Sequence, residues 1–206
     1  MIKPVLTCLD MEGVLVPEIW IAVAQKTGLS ELQVTTRDIP NYDELMRYRL
    51  AVLERYHIRL ADITRVVGGM QPLEGAQEFL AWLRERCQVI ILSDTYYEFI
   101  GPLMKQLEFP TIFSHTLEVD HTGMIRAYYL RQHDQKRCAV EALKGLGFRV
   151  LAAGDSYNDI SMLQAADAGI LFKPPASIVE EFPQFPVART YLELKAQLGR
   201  NGPLRP

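Results

Sequence analysis

Three stretches of this 206-residue chain end an apolar run in side chains able to do chemistry. VLTCLDMEGVLV (5–16) delivers Asp10 and Glu12, VIILSDT (89–95) delivers Ser93, Asp94 and Thr95, and VLAAGDSYND (150–159) delivers Asp155, Asn158 and Asp159. Residues two apart on a strand share a face, so Asp10 and Glu12 point into one space with Met11 turned away. Two acids crowded there repel each other unless a cation or a shared proton compensates. Acids from separate strands, a serine and Lys136 together describe a site for a divalent cation and a phosphoryl group. Carboxylate oxygens suit magnesium, and Lys and Ser suit phosphate oxygens.

A second pattern involves one cation. Tyr42, Leu45, Met46, Arg49, Val52, Leu53 and Tyr56 repeat at helical spacing on a single face, with Arg49 in its middle. A guanidinium on an apolar stripe calls for an anionic partner, because burying it unpaired is costly. Arg47 falls off that face.

The elements that must position these groups follow from hydrophobic period and turn chemistry. Apolar runs fed straight into charge read as buried parallel strands whose carboxyl ends open on a crevice. Their alternation with helical patterns at 73–86, 96–107 and 134–146 predicts an α/β, Rossmann-like parallel sheet with helices on both faces. Ligands of such sheets bind beyond the carboxyl ends of the strands, so Asp10, Glu12, Ser93 and Asp155 are expected to converge, with Lys136 reaching the same crevice.

Pro17 suits a first helical position, with the helix continuing over 18–26 to a stop at Gly28. TTRDIP (35–40) is a turn-like break, Asn41 and Glu44 resemble a capping box, and Gly68, Gly69 and Pro72 close the segment. Residues 17–70 are therefore read as a small helical cap inserted after the first strand, with 1–16 and 71–206 as the core. Arms at 112–119 and 124–130 around Asp120–Gly123 read as a β-hairpin flap projecting from the main sheet. A strand at 169–172, a short one near Val187 and a helix at 191–198 complete the chain, with fraying from about residue 199.

Composition narrows the function classes. A net charge of -3 and a pI near 5.8 give no broad basic surface for nucleic acid. No segment is long and apolar enough to span a membrane or act as a signal peptide, and Cys8, Cys87 and Cys138 read as reduced thiols of a cytoplasmic protein. His57, His115, His121 and His133 lack ligand spacing and are expected at the surface or in loops. Tyr128 and Tyr129 on the hairpin are a candidate contact, with monomer and homodimer both open.

DMEGV, SDT, Lys136 and GDSYND, in that order, resemble the four-motif signature of the haloacid dehalogenase-like phosphohydrolase superfamily. The insertion resembles the cap of its phosphoserine phosphatase branch, most closely the bifunctional phosphoserine phosphatase/homoserine phosphotransferase type. The resemblance implies that Asp10 takes the phosphoryl group as an aspartyl-phosphate and that Glu12 protonates the leaving serine and then activates water. The usual residue at position 12 is Asp, and the extra methylene moves the acid by about one bond length, enough to cost ~10²-fold in rate. By the same resemblance Ser93, Asp94, Thr95, Lys136 and Asn158 bind the phosphate end. Mg2+ is held by Asp10, Asp155, the Glu12 carbonyl and, behind a water, Asp159. Glu18 takes the ammonium and Arg49 the carboxylate of phosphoserine, with homoserine as a second acceptor. The alternatives are a phosphatase of a sugar or thiosugar phosphate, which leaves Glu18 and Arg49 unmatched, and a receiver-type phosphoacceptor module, which lacks a cap and carries its acceptor Asp on a later strand.

Overall fold

All five residues of β1 (Val5–Leu9) are buried, which requires strands on both sides and cover on both faces. The structure, a computed structural model, describes residues 3–35, 38, 39 and 41–201. Its strands β1, β2 (Gln88–Tyr96), β3 (Thr111–Val119), β4 (Ile125–Tyr129), β5 (Arg149–Gly154), β6 (Ala168–Phe172) and β7 (Val187–Ala188) form one sheet in the order β4-β3-β2-β1-β5-β6-β7. Only the β3–β4 pair is antiparallel. β1 lies between β2 and β5, with Cys8 opposite Ile90 on one side and Ala152 on the other. The alternation of β1 divides its side chains between two cores, Val5 and Leu9 in one and Leu6 and Cys8 in the other.

Between β1 and β2 lie α1 (Ile19–Thr27), a 3-10 turn (Ser30–Gln33), α2 (Tyr42–Arg55) and α3 (Leu60–Gly69). Then come α4 (Ala76–Arg84), α5 (Tyr97–Gln106), α6 (Gln135–Gly145), α7 (Ile160–Ala165), α8 (Ala176–Glu181) and α9 (Tyr191–Asn201). One core joins α4, α5 and α9 to the sheet through Phe79, Phe99 and Leu194, and the other joins α6, α7 and α8 through Val140, Met162 and Ile178. The α2 stripe buries Leu45, Met46, Arg49, Val52 and Leu53, while Arg47 is exposed. The Asn41 side chain caps α2 by accepting from the Glu44 amide at 3.0 Å, and Gly28 ends α1 in the left-handed region at φ 76°.

Several expectations shift. α1 begins at Ile19 because Glu18 is still extended (φ -58°, ψ 116°). The helix before β2 starts at Ala76 because the residue before it, Gly75, is in the left-handed region at φ 82°. β2 runs on through Tyr96, so SDT sits inside a strand end rather than after it. The β3–β4 hairpin is present as the expected flap and is rooted in the sheet, Thr111 to Phe113 pairing with β2 and the later half of β3 with β4. α9 stays helical to Asn201. The break at 35–40 falls partly on Thr36, Arg37 and Pro40, which lie outside the described residues, as does the tail beyond 201. No helix among the described residues is long and apolar enough to cross a membrane.

Phe79 is fully buried and stacks on Tyr191 with ring centroids 5.0 Å apart. Phe79→Ala is expected to remove about 3–5 kcal/mol of stability, read in urea unfolding as a lower midpoint at constant slope.

Candidate active site

The carboxyl ends of β1, β2 and β5 meet at one place. Asp10 follows β1, and its amide extends the pairing by donating to the Ala153 carbonyl of β5 at 2.9 Å. Its Oδ1 accepts from the Met11 amide at 2.7 Å and faces Lys136 Nζ at 2.9 Å. Asp159 Oδ2 accepts from the amides of Asp155 (2.9 Å) and Ser156 (3.1 Å), while its Oδ1 takes Lys136 Nζ at 2.7 Å. Carboxylate oxygens of Asp10, Asp155 and Asp159, all buried, lie within 4.8 Å of one another.

Two glycines make this crowding possible. A Cβ on Gly13, whose φ is +75°, would stand 2.4 Å from Asp155 Cγ, and one on Gly154 would stand 2.4 Å from Asp159 Cβ.

The electrostatics have one dominant cause, more buried negative charge than one ammonium offsets. Burial and then Asp159 push Asp10 well above the carboxylate range, against the pull of Lys136. Burial alone would lower Lys136, yet Asp10, Asp159 and Asp94 outweigh it and hold the ammonium well above its ordinary value. An all-oxygen, anionic donor set of this kind fits a hard divalent cation.

Asp94 is tied down rather than free. Burial would raise its carboxyl, but Lys136, at 3.4 Å, and donors from His115, Asn158 and Gln135 hold it far below the usual range. Asn158 Nδ2 lies 2.8 Å from its Oδ2, and Gln135 Nε2 and His115 Nε2 lie 3.1 and 3.5 Å from its Oδ1. His115 is therefore not the surface or loop histidine expected. It is 3% exposed on β3, and its Nδ1 accepts from the Arg131 amide at 3.1 Å. Sequence reasoning missed both His115 and Gln135, because their meeting with Asp94 depends on the β2–β3 pairing and on where α6 begins. The only signal was the position of Gln135 beside Lys136.

A cavity of about 210 Å³ is lined by Asp10, Glu12, Glu18, Arg49, Ser93, Asp94, Lys136, Asp155 and Asn158, together with Trp20, Tyr42 and others. Asp159 lies behind this wall. Thr95 does not reach it; its side chain is buried without a hydrogen-bond partner among the described residues. A wider groove of about 1040 Å³ adjoins it across Tyr42, Asp94, Lys136 and Asn158.

On the far wall, Glu12 Oε2 accepts from the Ile19 amide at the start of α1 at 2.8 Å. Burial, then the neighbouring Glu18, pushes Glu12 up to about 8. The carboxyl is thus protonated at neutral pH. Arg49 is 7% exposed, and burial lowers its affinity for the proton. Its Nη2 donates to the Val34 carbonyl at 3.0 Å, and no carboxylate among the described residues forms an ion pair with it.

The sequence profile of the haloacid dehalogenase-like hydrolases matches residues 8–167. The chain is 57% identical over 192 residues to the phosphoserine phosphatase ThrH of Pseudomonas aeruginosa, covering 93% of this chain and 94% of that protein. It is 58% identical over the same length to a phosphoserine phosphatase of Pseudomonas syringae pv. tomato, covering 93% and 81%. Among solved structures, a phospho-aspartyl intermediate analogue of phosphoserine phosphatase superposes with a TM-score of 0.77 at 20% identity, covering 96% of this chain and 99% of that one. At that identity the likeness speaks for the fold.

Because its folded carboxyl is raised above the unfolded value near 4.5, Glu12 binds its proton more tightly in the native state. Stability therefore falls as pH rises from about 4.5 through about 8. Glu12→Gln, which keeps the neutral shape and the acceptor for Ile19, is expected to melt higher than the unsubstituted chain at pH 9 without divalent cation. The difference should vanish below pH 5.

Proposed function

Because this chain belongs to the haloacid dehalogenase-like hydrolases, we propose that its crevice is the active site of a magnesium-dependent phosphoserine phosphatase working through an aspartyl-phosphate on Asp10, with homoserine as a second acceptor. The observation that carries this reading is the buried Asp10, Asp155 and Asp159 cluster resting on Lys136, with Arg49 across the same cavity and no carboxylate among the described residues in ion-pair contact with it. Asp10, Asp155, the Glu12 carbonyl and, through water, Asp159 would hold Mg2+, which when bound neutralises charge on the phosphoryl oxygens. Residues 17–70 serve as the cap and 1–16 with 71–206 as the core.

In the first step an Asp10 oxygen bonds to phosphorus while the phosphorus–serine oxygen bond breaks, and the departing oxygen takes the proton from Glu12. A carboxyl raised to about 8 is supplied with that proton at neutral pH. In the second step the ionised Glu12 takes a proton from water or from the hydroxyl of homoserine, that oxygen bonds to phosphorus, and the Asp10 oxygen leaves. Ser93 and Lys136 hold the transferring phosphoryl oxygens, each such donor contributing on the order of 3 kcal/mol. Asp94 orients Lys136 and Asn158 rather than touching the substrate. Glu18 receives the ammonium and Arg49 the carboxylate. A neutral sugar phosphate would leave that guanidinium without its anion.

Asp10→Asn is expected to lower turnover at least ~10³-fold, and chelation of divalent cations to do the same until magnesium is restored. Residual turnover above that level would remove the aspartyl-phosphate mechanism. Arg49→Ala is expected to raise KM for phosphoserine about 10²-fold while changing KM for p-nitrophenyl phosphate much less. Equal effects on the two substrates would defeat the amino-acid assignment. Product analysis with phosphoserine, with and without homoserine, reads how the phosphoryl group divides between water and alcohol.

A further inference from the structure

We propose that Trp20 sets the preference for an amino-acid substrate by presenting Arg49 as a positioned cation with no carboxylate in ion-pair contact among the described residues; this rests on the reading of the crevice given above. Trp20 is the second residue of α1 and lines the cavity. The Arg49 Cζ lies 4.7 Å from the centroid of its ring. The indole is itself fixed by the edge of Phe99, with centroids 6.4 Å apart and planes at 84°.

The chemistry of this support differs from that of a carboxylate. An aromatic face attracts a guanidinium without neutralising it and without consuming its N–H groups. An Asp or Glu at the same place would do both, and the site would then hold a finished ion pair with no need of a ligand. Here the remaining contacts are few. Nη2 donates to the Val34 carbonyl, Nη1 lies 3.8 Å from the Met46 sulfur, and the buried Nε has no acceptor among the described residues. Burial meanwhile works against the charge. The guanidinium therefore keeps its charge, and since Nη1 and Nη2 carry two N–H groups each and make one contact each, donors remain for a carboxylate in the cavity that Arg49 lines, while the indole face holds the group in place. Trp20 is in this sense a positioning residue, acting on the substrate through Arg49.

The test compares phosphoserine with phosphoethanolamine, which keeps the phosphate and the ammonium and lacks the carboxylate. The readout is the ratio of kcat/KM for the two esters. Trp20→Leu is expected to lower that ratio about ten-fold, with the loss carried by KM, and Trp20→Tyr to retain most of it. In an Arg49→Ala background, Trp20→Leu should change the ratio no further. An unchanged ratio in Trp20→Leu, or the same loss with and without Arg49, overturns the role of Trp20. Should Trp20→Leu fail to fold, the series Trp, Tyr, Phe decides: the ratio falls in that order, and a flat series overturns the proposal. An unsubstituted enzyme that does not prefer phosphoserine over phosphoethanolamine overturns the amino-acid reading instead.

Discussion

Negative charge buried in excess is the constraint on which the rest of this structure depends. Lys136 is 2% exposed and forms ion pairs with Asp10, Asp94 and Asp159, while Asp155 stands in the same cluster. Buried ions are tolerated only when paired and hydrogen-bonded, and here the pairing is incomplete. The sheet supplies the backbone amides that satisfy the acids, including those of Met11, Asp155 and Ser156. What remains is a deficit of positive charge, which a bound divalent cation would meet.

Across the cavity the imbalance has the opposite sign. Arg49 is held by an indole face and a backbone carbonyl, with no carboxylate in ion-pair contact among the described residues. In the proposed reading, a ligand with a phosphate at one end and a carboxylate at the other would answer Lys136 and Arg49 together, and its ammonium would meet Glu18. Glu12 lines the same cavity, on the Arg49 side. Burial and Glu18 push its carboxyl up to about 8, so in the proposed mechanism the acid would be supplied with its proton by the same acidic neighbour that would receive the substrate amine.

The extra methylene at position 12 also has a structural consequence. Glu12 reaches the Ile19 amide, where the residue at the α1 N-cap, Glu18, makes no side-chain capping bond of its own. The Glu12 carboxyl and the first helix after β1 are thus joined by one hydrogen bond. The start of α1 in turn sets Trp20 beneath Arg49, so the acid, the helix and the cation share one anchor.

Much of this was legible in the residues themselves. Apolar runs ending in acids predicted the parallel sheet, the helical repeat of α2 singled out Arg49, and the order of DMEGV, SDT, Lys136 and GDSYND brought the acids to one crevice. These signals survive in a sequence because they are local: period, spacing and the charge that ends a strand. Partners brought by pairing and packing leave no such mark. His115 reaches Asp94 only through the β2–β3 alignment, Gln135 only through the start of α6, and Trp20 meets Arg49 only because the fold brings α1 and α2 to one cavity. Thr95, two residues from Ser93, seemed equally placed, yet it is turned away from the cavity and buried. Sequence therefore determined which groups gather at the crevice, since side-chain type and local period are written in it. Tertiary structure decided which neighbours orient them, since those contacts join residues far apart in the chain.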